Sequence, residues 1–137
     1  MWQVFTERST YTKRARLLAI LWTLLIFFLC FLPGADIPEV GIPFADKWAH
    51  FILFGMFAIL WLCTKPTRKF SFLLFIFAVC VFLGWLVELI QGTLTFLGRS
   101  QDNMDTLADS IGGLLGVLFF YMLSKMAEKR ISKTPKS

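Results

Sequence analysis

Asp46 and His50 stand four residues apart with Lys47 between them, Glu88 and Gln91 stand three apart, and Asp102, Asp105 and Asp109 follow at steps of three and four. On α-helices each set shares one face. A histidine ordinarily titrates near neutrality, so His50 can serve as acid or base, with Asp46 holding its tautomer and Glu88 as a further carboxylate; these three are the candidate catalytic groups. Glu88, Asp105 and Asp109 are the oxygen donors expected to hold a divalent cation, which in turn would bind a phosphate or pyrophosphate. Lys47, Gln91 and Arg99 are the candidate substrate contacts. The acids outnumber the nearby cations, so phosphate binding without a metal ion is disfavoured. The sequence has no glycine-rich phosphate loop, no His-Glu-x-x-His zinc spacing and no nucleophile beside His50, which leaves the reaction, and whether there is one, open.

Four apolar runs must position these groups. Residues 17–32, 48–63, 70–90 and 106–123 are each 16 to 21 residues long and carry few polar side chains. At about 1.5 Å rise per residue they span roughly 24 to 32 Å, close to a bilayer's hydrocarbon thickness. Hydrophobic residues make up 57 % of the 137 residues, more than a small water-soluble domain can hide. The expected fold is all-α: a polytopic membrane protein with four transmembrane helices in an antiparallel bundle. The expected divisions are an amino-terminal tail over 1–16, a membrane domain over 17–124 and a basic tail over 125–137. The first run lacks a small-x-small cleavage pattern and is read as an uncleaved helix. The six-residue basic turn 64–69, with Pro66, forces the second and third helices into a hairpin.

Charge orients the chain. Twelve of the fourteen Lys and Arg lie in the two tails and the 64–69 turn, whereas seven of the nine carboxylates lie in or beside 32–47 and 88–109. Both termini are therefore expected in the cytoplasm, with the acidic connections outside. The net charge of +5 is a topology signal, and no nucleic-acid partner is inferred from it. Cys30, Cys63 and Cys80 fall in three different runs without metal or disulfide spacing and read as packing residues.

This orientation brings the polar corners of three helices to one height, and they are expected to meet, because a carboxylate turned toward lipid is costly. Gly84, Gly112 and Gly116 share stripes with the acids and read as helix-packing positions. Plainer roles stand beside the chemical ones: Asp102 and Asp105 suit the start of a helix, Lys47 and Arg99 can simply neutralise acids, and the whole set can be an ion-pair network fixing helix register. A transporter is a weaker reading, since four spans show no repeat and no interrupted helix.

The run from Asp46 through Lys47, Trp48, Ala49, His50 and Phe51, then Phe54-Gly55, Glu88 to Gln91, Arg99, Asp105 with Asp109, and Gly112-x-x-x-Gly116 resembles the pattern of the VanZ-like family of small bacterial membrane proteins. The resemblance covers roughly 36–123. It implies a multi-pass protein of the bacterial inner membrane, some of whose relatives are linked to lowered susceptibility to teicoplanin, a glycopeptide with a lipid tail. The function expected from residues and resemblance together is an outward-facing Asp/Glu/His/Arg pocket that binds or acts on a cell-envelope component such as a lipid-linked phosphate. The alternative is a non-catalytic binding or scaffold module. The expected partners are the bilayer and a lipid-linked envelope precursor or an amphipathic antibiotic, and the expected cofactor, if any, is a divalent cation.

Overall fold

A computed structural model describes residues 2–33, 41, 43–94, 96, 98 and 100–133. Arg99 and most of the first acidic connection, including Asp36 and Glu39, lie outside the described residues. Four α-helices carry the fold: α1 (Thr12–Cys30), α2 (Ala45–Thr64), α3 (Phe70–Thr93) and α4 (Asn103–Ser132). The described residues contain no strand. Of the four, α2, α3 and α4 are long and apolar enough to cross a membrane, so the chain is a membrane protein of all-α class. The 19-residue α1 differs because its first turns carry Lys13, Arg14 and Arg16.

Consecutive helices alternate in direction, but the most extensive packing joins α2 to α4, which run parallel. The register is visible at the glycines. A Cβ on Gly112 would collide with the Phe51 carbonyl oxygen, and one on Gly116 would collide with the Gly55 carbonyl oxygen, four residues further along both helices. Two helix backbones touch along this seam, which a larger side chain at either position would hold apart. On the other flank of α4 the register is antiparallel: Gly84 of α3 faces Asp109, and Cys80 faces Gly113.

α1 lies on α2, fastened by tryptophans as well as apolar contact. Trp22 Nε1 donates to the Leu53 carbonyl at 2.9 Å, and Trp61 Nε1 donates to Thr23 Oγ1 at 3.1 Å. These indoles satisfy their N–H groups inside the bundle, where lipid could not. Phe54, Phe57, Leu62, Val87, Cys80 and Phe120 fill the shared core, and all three cysteines are buried. Large apolar side chains along the outer faces of all four helices are exposed, mainly leucines and phenylalanines on α1, α3 and α4 and Trp48, Ile52 and Met56 on α2, as a lipid-facing surface requires.

The ends run further than the apolar pattern indicates. The amino-terminal tail contains a 3-10 turn, Trp2–Phe5, which packs on α4 with the Phe5 and Phe120 rings 6.1 Å apart. Helix α4 continues through the basic residues to Ser132, where Lys129 and Arg130 complement the negative end of the helix dipole.

Candidate functional site

At the end of the bundle where α2 and α4 begin and α3 finishes, side chains from three helices meet. Asp102 sits just before α4 in extended conformation and caps it, accepting from Met104 N through Oδ1 at 2.8 Å. Its other oxygen takes Lys47 Nζ at 2.6 Å, and the same ammonium donates to Asp105 Oδ1 at 3.0 Å. Lys47 thus ties the start of α2 to the start of α4. The ammonium lowers the Asp102 pKa below the ordinary aspartate value, with the Met104 N–H adding to the effect.

One turn deeper, His50 Nδ1 lies 3.0 Å from Asp109 Oδ1. Both groups are buried, with exposures of 3 % and 0 %. Sequence spacing assigned Asp46 as the orienting acid for this ring. In the structure Asp46 Oδ1 lies on the opposite side, 4.0 Å from Nε2, which is beyond hydrogen-bonding distance. The reason is positional: Asp46 is the second residue of α2 and its side chain is 60 % exposed, whereas the glycine seam presses Asp109 of α4 directly against the ring. Gly84 takes part in that placement, because a Cβ there would stand 2.6 Å from Asp109 Oδ2 and 2.8 Å from Asp109 Cβ. Its small size makes room for a carboxylate as much as for a helix.

Glu88 is 1 % exposed and accepts from the Asp102 backbone N–H through Oε2 at 2.8 Å, which anchors the turn entering α4 to α3. Gln91, equally buried, donates through Nε2 to the Cys30 carbonyl at 2.6 Å and so links α3 to the end of α1. Two buried oxygens, Glu88 Oε1 and Asp109 Oδ2, have no hydrogen-bond partner among the described residues. Such orphaned carboxylate oxygens cost stability and are uncommon where side chains serve packing alone.

For a metal ion, the expected donors were Glu88, Asp105 and Asp109. Among the described residues, the group whose donor atoms all lie within 4.8 Å of one another is instead Asp46, His50 and Asp105. Glu88 is committed to a backbone N–H and Asp109 to the histidine, and this division of labour separates the two sets. What spacing does not give is the cross-helix pairing: Asp102 with both Lys47 and Glu88, and the Cys30 carbonyl with Gln91. A polar residue at a helix start, as Asp102 is, was the one visible signal.

The site's chemistry therefore consists of a buried histidine between carboxylates, a lysine bridging two acids at the rim, and an excess of negative charge facing the mouth of the helix pair. It can accept or deliver a proton at His50 and can hold a cation. An apolar groove of about 710 Å³ lies elsewhere, on the α2–α4 face, lined by groups including Trp22, Ile52, Met56 and Leu115.

Neither the curated proteins nor the solved structures gave a match to the chain. The profile of the VanZ/LLP1 family, in contrast, matches residues 2–124, which covers all four helices up to the basic extension of α4. A membrane-embedded helical chain matched over that length, with His50, Glu88, Asp105 and Asp109 gathered at one end, belongs to the VanZ/LLP1 family.

Proposed function

We propose that this chain is a four-span protein of the bacterial inner membrane, with both termini cytoplasmic, whose acidic end forms an outward-facing pocket for a phosphate-bearing component of the cell envelope. A span for α1 is supported by its exposed apolar face, from Leu17 and Leu18 through Leu21, Leu24 and Phe28, which suits lipid and not water. The basic residues of the two tails and the 65–69 turn favour the cytoplasmic side for that end.

The observation that carries the pocket is the pair of buried carboxylates, Glu88 and Asp109, each retaining an oxygen without a partner among the described residues, in a region where uncompensated charge is costly. Phosphate would be met by Lys47 and by a cation drawn to the acids, and His50 would supply or remove a proton if a bond is broken. The family's association with teicoplanin susceptibility fits an envelope ligand that joins a polar group to a lipid tail. A structural reading also has specific support: Lys47 bridges Asp102 and Asp105, and the Gln91 amide is spent on the Cys30 carbonyl, so part of the set holds helices together.

The experiment is a thermal-shift titration of purified protein in detergent with a long-chain alkyl phosphate, against an alkyl trimethylammonium of equal tail length. The proposal expects the phosphate alone to raise the melting temperature, by the equivalent of about 2.7 kcal/mol at a hundredfold excess over the dissociation constant. The response should vanish in Glu88→Gln. Equal shifts with both amphiphiles would mean that only the tail is recognised and would remove the phosphate reading.

A further inference from the structure

Among the described residues, His50 has one ring nitrogen in a hydrogen bond and one that is in none. Nδ1 faces Asp109 Oδ1 at 3.0 Å, which in the neutral ring makes Nδ1–H the donor and leaves Nε2 with its lone pair. That second nitrogen belongs to a residue only 3 % exposed, and its nearest acid oxygen, Asp46 Oδ1, is 4.0 Å away. A buried imidazole nitrogen facing acids, close to them but too far for a hydrogen bond, is spaced as one donor to a shared cation.

The third donor completes the set. One atom each from Asp46, His50 and Asp105 lie within 4.8 Å of one another. Donors that share an ion at about 2.0 to 2.2 Å stand roughly 3 to 4 Å apart, so a small movement closes the group around it. Asp46 can supply that movement, because its side chain is 60 % exposed at the first turn of α2. The same exposure opens a route for the ion from water. Asp109, fully buried behind the ring, has the position of the carboxylate that commonly orients a metal-bound histidine.

We infer that Asp46, His50 and Asp105 bind a divalent first-row transition ion, of which Zn2+ and Mn2+ are the fitting examples, with Asp109 as the positioning residue for His50. An imidazole donor separates this site from the all-oxygen surroundings that Mg2+ and Ca2+ prefer. Three protein donors leave coordination positions for water or for an oxygen of the phosphate in the pocket proposed above, so the ion deepens that reading and supplies its missing positive charge. Lys47, on Asp102 and Asp105, stays beside the ion as a second cation.

The test uses the full chain in detergent after chelator treatment. Zn2+ is titrated by calorimetry and Mn2+ is followed by its electron paramagnetic resonance signal. One saturable ion per chain is expected, undisturbed by a large excess of Mg2+. Binding should weaken more than a hundredfold in Asp46→Asn and in His50→Gln, and about 10- to 100-fold in Asp109→Asn, where only the orientation of the ring is lost. Asp46→Asn changes an exposed side chain and keeps the wild-type melting temperature, so a loss of binding there is not a folding defect. Absence of saturable binding, or Asp46→Asn binding as tightly as wild type, would overturn the site. Ion binding without any response to alkyl phosphate would leave this site standing and remove the phosphate pocket; a phosphate response without ion binding would do the reverse.

Discussion

The two ends of the bundle use charge in opposite ways. At the basic end Arg68 Nη2 meets Glu128 Oε2 at 2.5 Å with both side chains open to solvent, 34 % and 46 % exposed. Nearby, Thr67 Oγ1 donates to Glu7 Oε1 at 2.9 Å, and the Arg130 guanidinium lies 5.1 Å from the centre of the Trp2 ring. These contacts tie the tail and turn to the helix ends where water can share the load. At the acidic end Glu88 and Asp109 are withdrawn from solvent, and each keeps an oxygen with no partner among the described residues. Exposed pairs can be gained or lost at little cost, but buried unpaired carboxylate oxygens persist only if something other than stability retains them. The difference teaches where to look for function in a chain whose remaining surface is apolar.

Substitutions can break this contrast, and the largest effect belongs to the space that admits Asp109. Gly84→Leu places a branched side chain where a Cβ alone would stand 2.6 Å from Asp109 Oδ2, and about 3 kcal/mol of stability should be lost, read as a steep fall in melting temperature and in membrane abundance. Asp109→Ala removes the partner of a buried ring nitrogen and should cost about 1 to 3 kcal/mol in the same melt. Survival of either variant at wild-type stability would mean that the acidic end is looser than described. Arg68→Ala at the basic end should change stability by no more than about 1 kcal/mol, and 1 M salt should erase most of that change. A cost at the basic end equal to that of Asp109→Ala would dissolve the contrast.

The smallest effect concerns acidity. Asp102 is held below the ordinary aspartate range chiefly by the Lys47 ammonium. A depressed folded-state pKa contributes stability that is fully present above the unfolded-state value, near pH 4, and is lost as pH falls through the folded value. Melts between pH 5 and 8 should therefore show no step from this group. Lys47→Met should move the Asp102 titration, followed by carboxylate infrared absorption, upward toward the ordinary value; an unmoved titration would mean that the lysine is not its main partner.

Much of the helical layout can be read from hydropathy, because lipid demands long apolar runs and leaves loops to carry charge. The extension of α4 to Ser132 could not be, since its last turns look like a solvated tail until Ala127 is seen buried and Glu128 paired with Arg68. Spacing also puts Asp46 with His50, and Asp105 with Asp109, on shared faces. It cannot say which acid the histidine takes. That choice rests on the parallel α2–α4 seam at Gly112 and Gly116, which brings residue 109 against residue 50 across a sequence separation of 59. Glu88 is harder still, because its partner is a backbone N–H whose position depends on the turn before α4.

The central claim is that the acidic end opens outward and is accessible there at Asp46. The direct measurement is labelling of Asp46→Cys in intact cells with a membrane-impermeant maleimide, in a background where Cys30, Cys63 and Cys80, all buried, are replaced by alanine or serine. The account predicts rapid labelling of intact cells that is blocked by prior treatment with an impermeant thiol reagent. Labelling only after the membrane is permeabilised would place this end in the cytoplasm and contradict it.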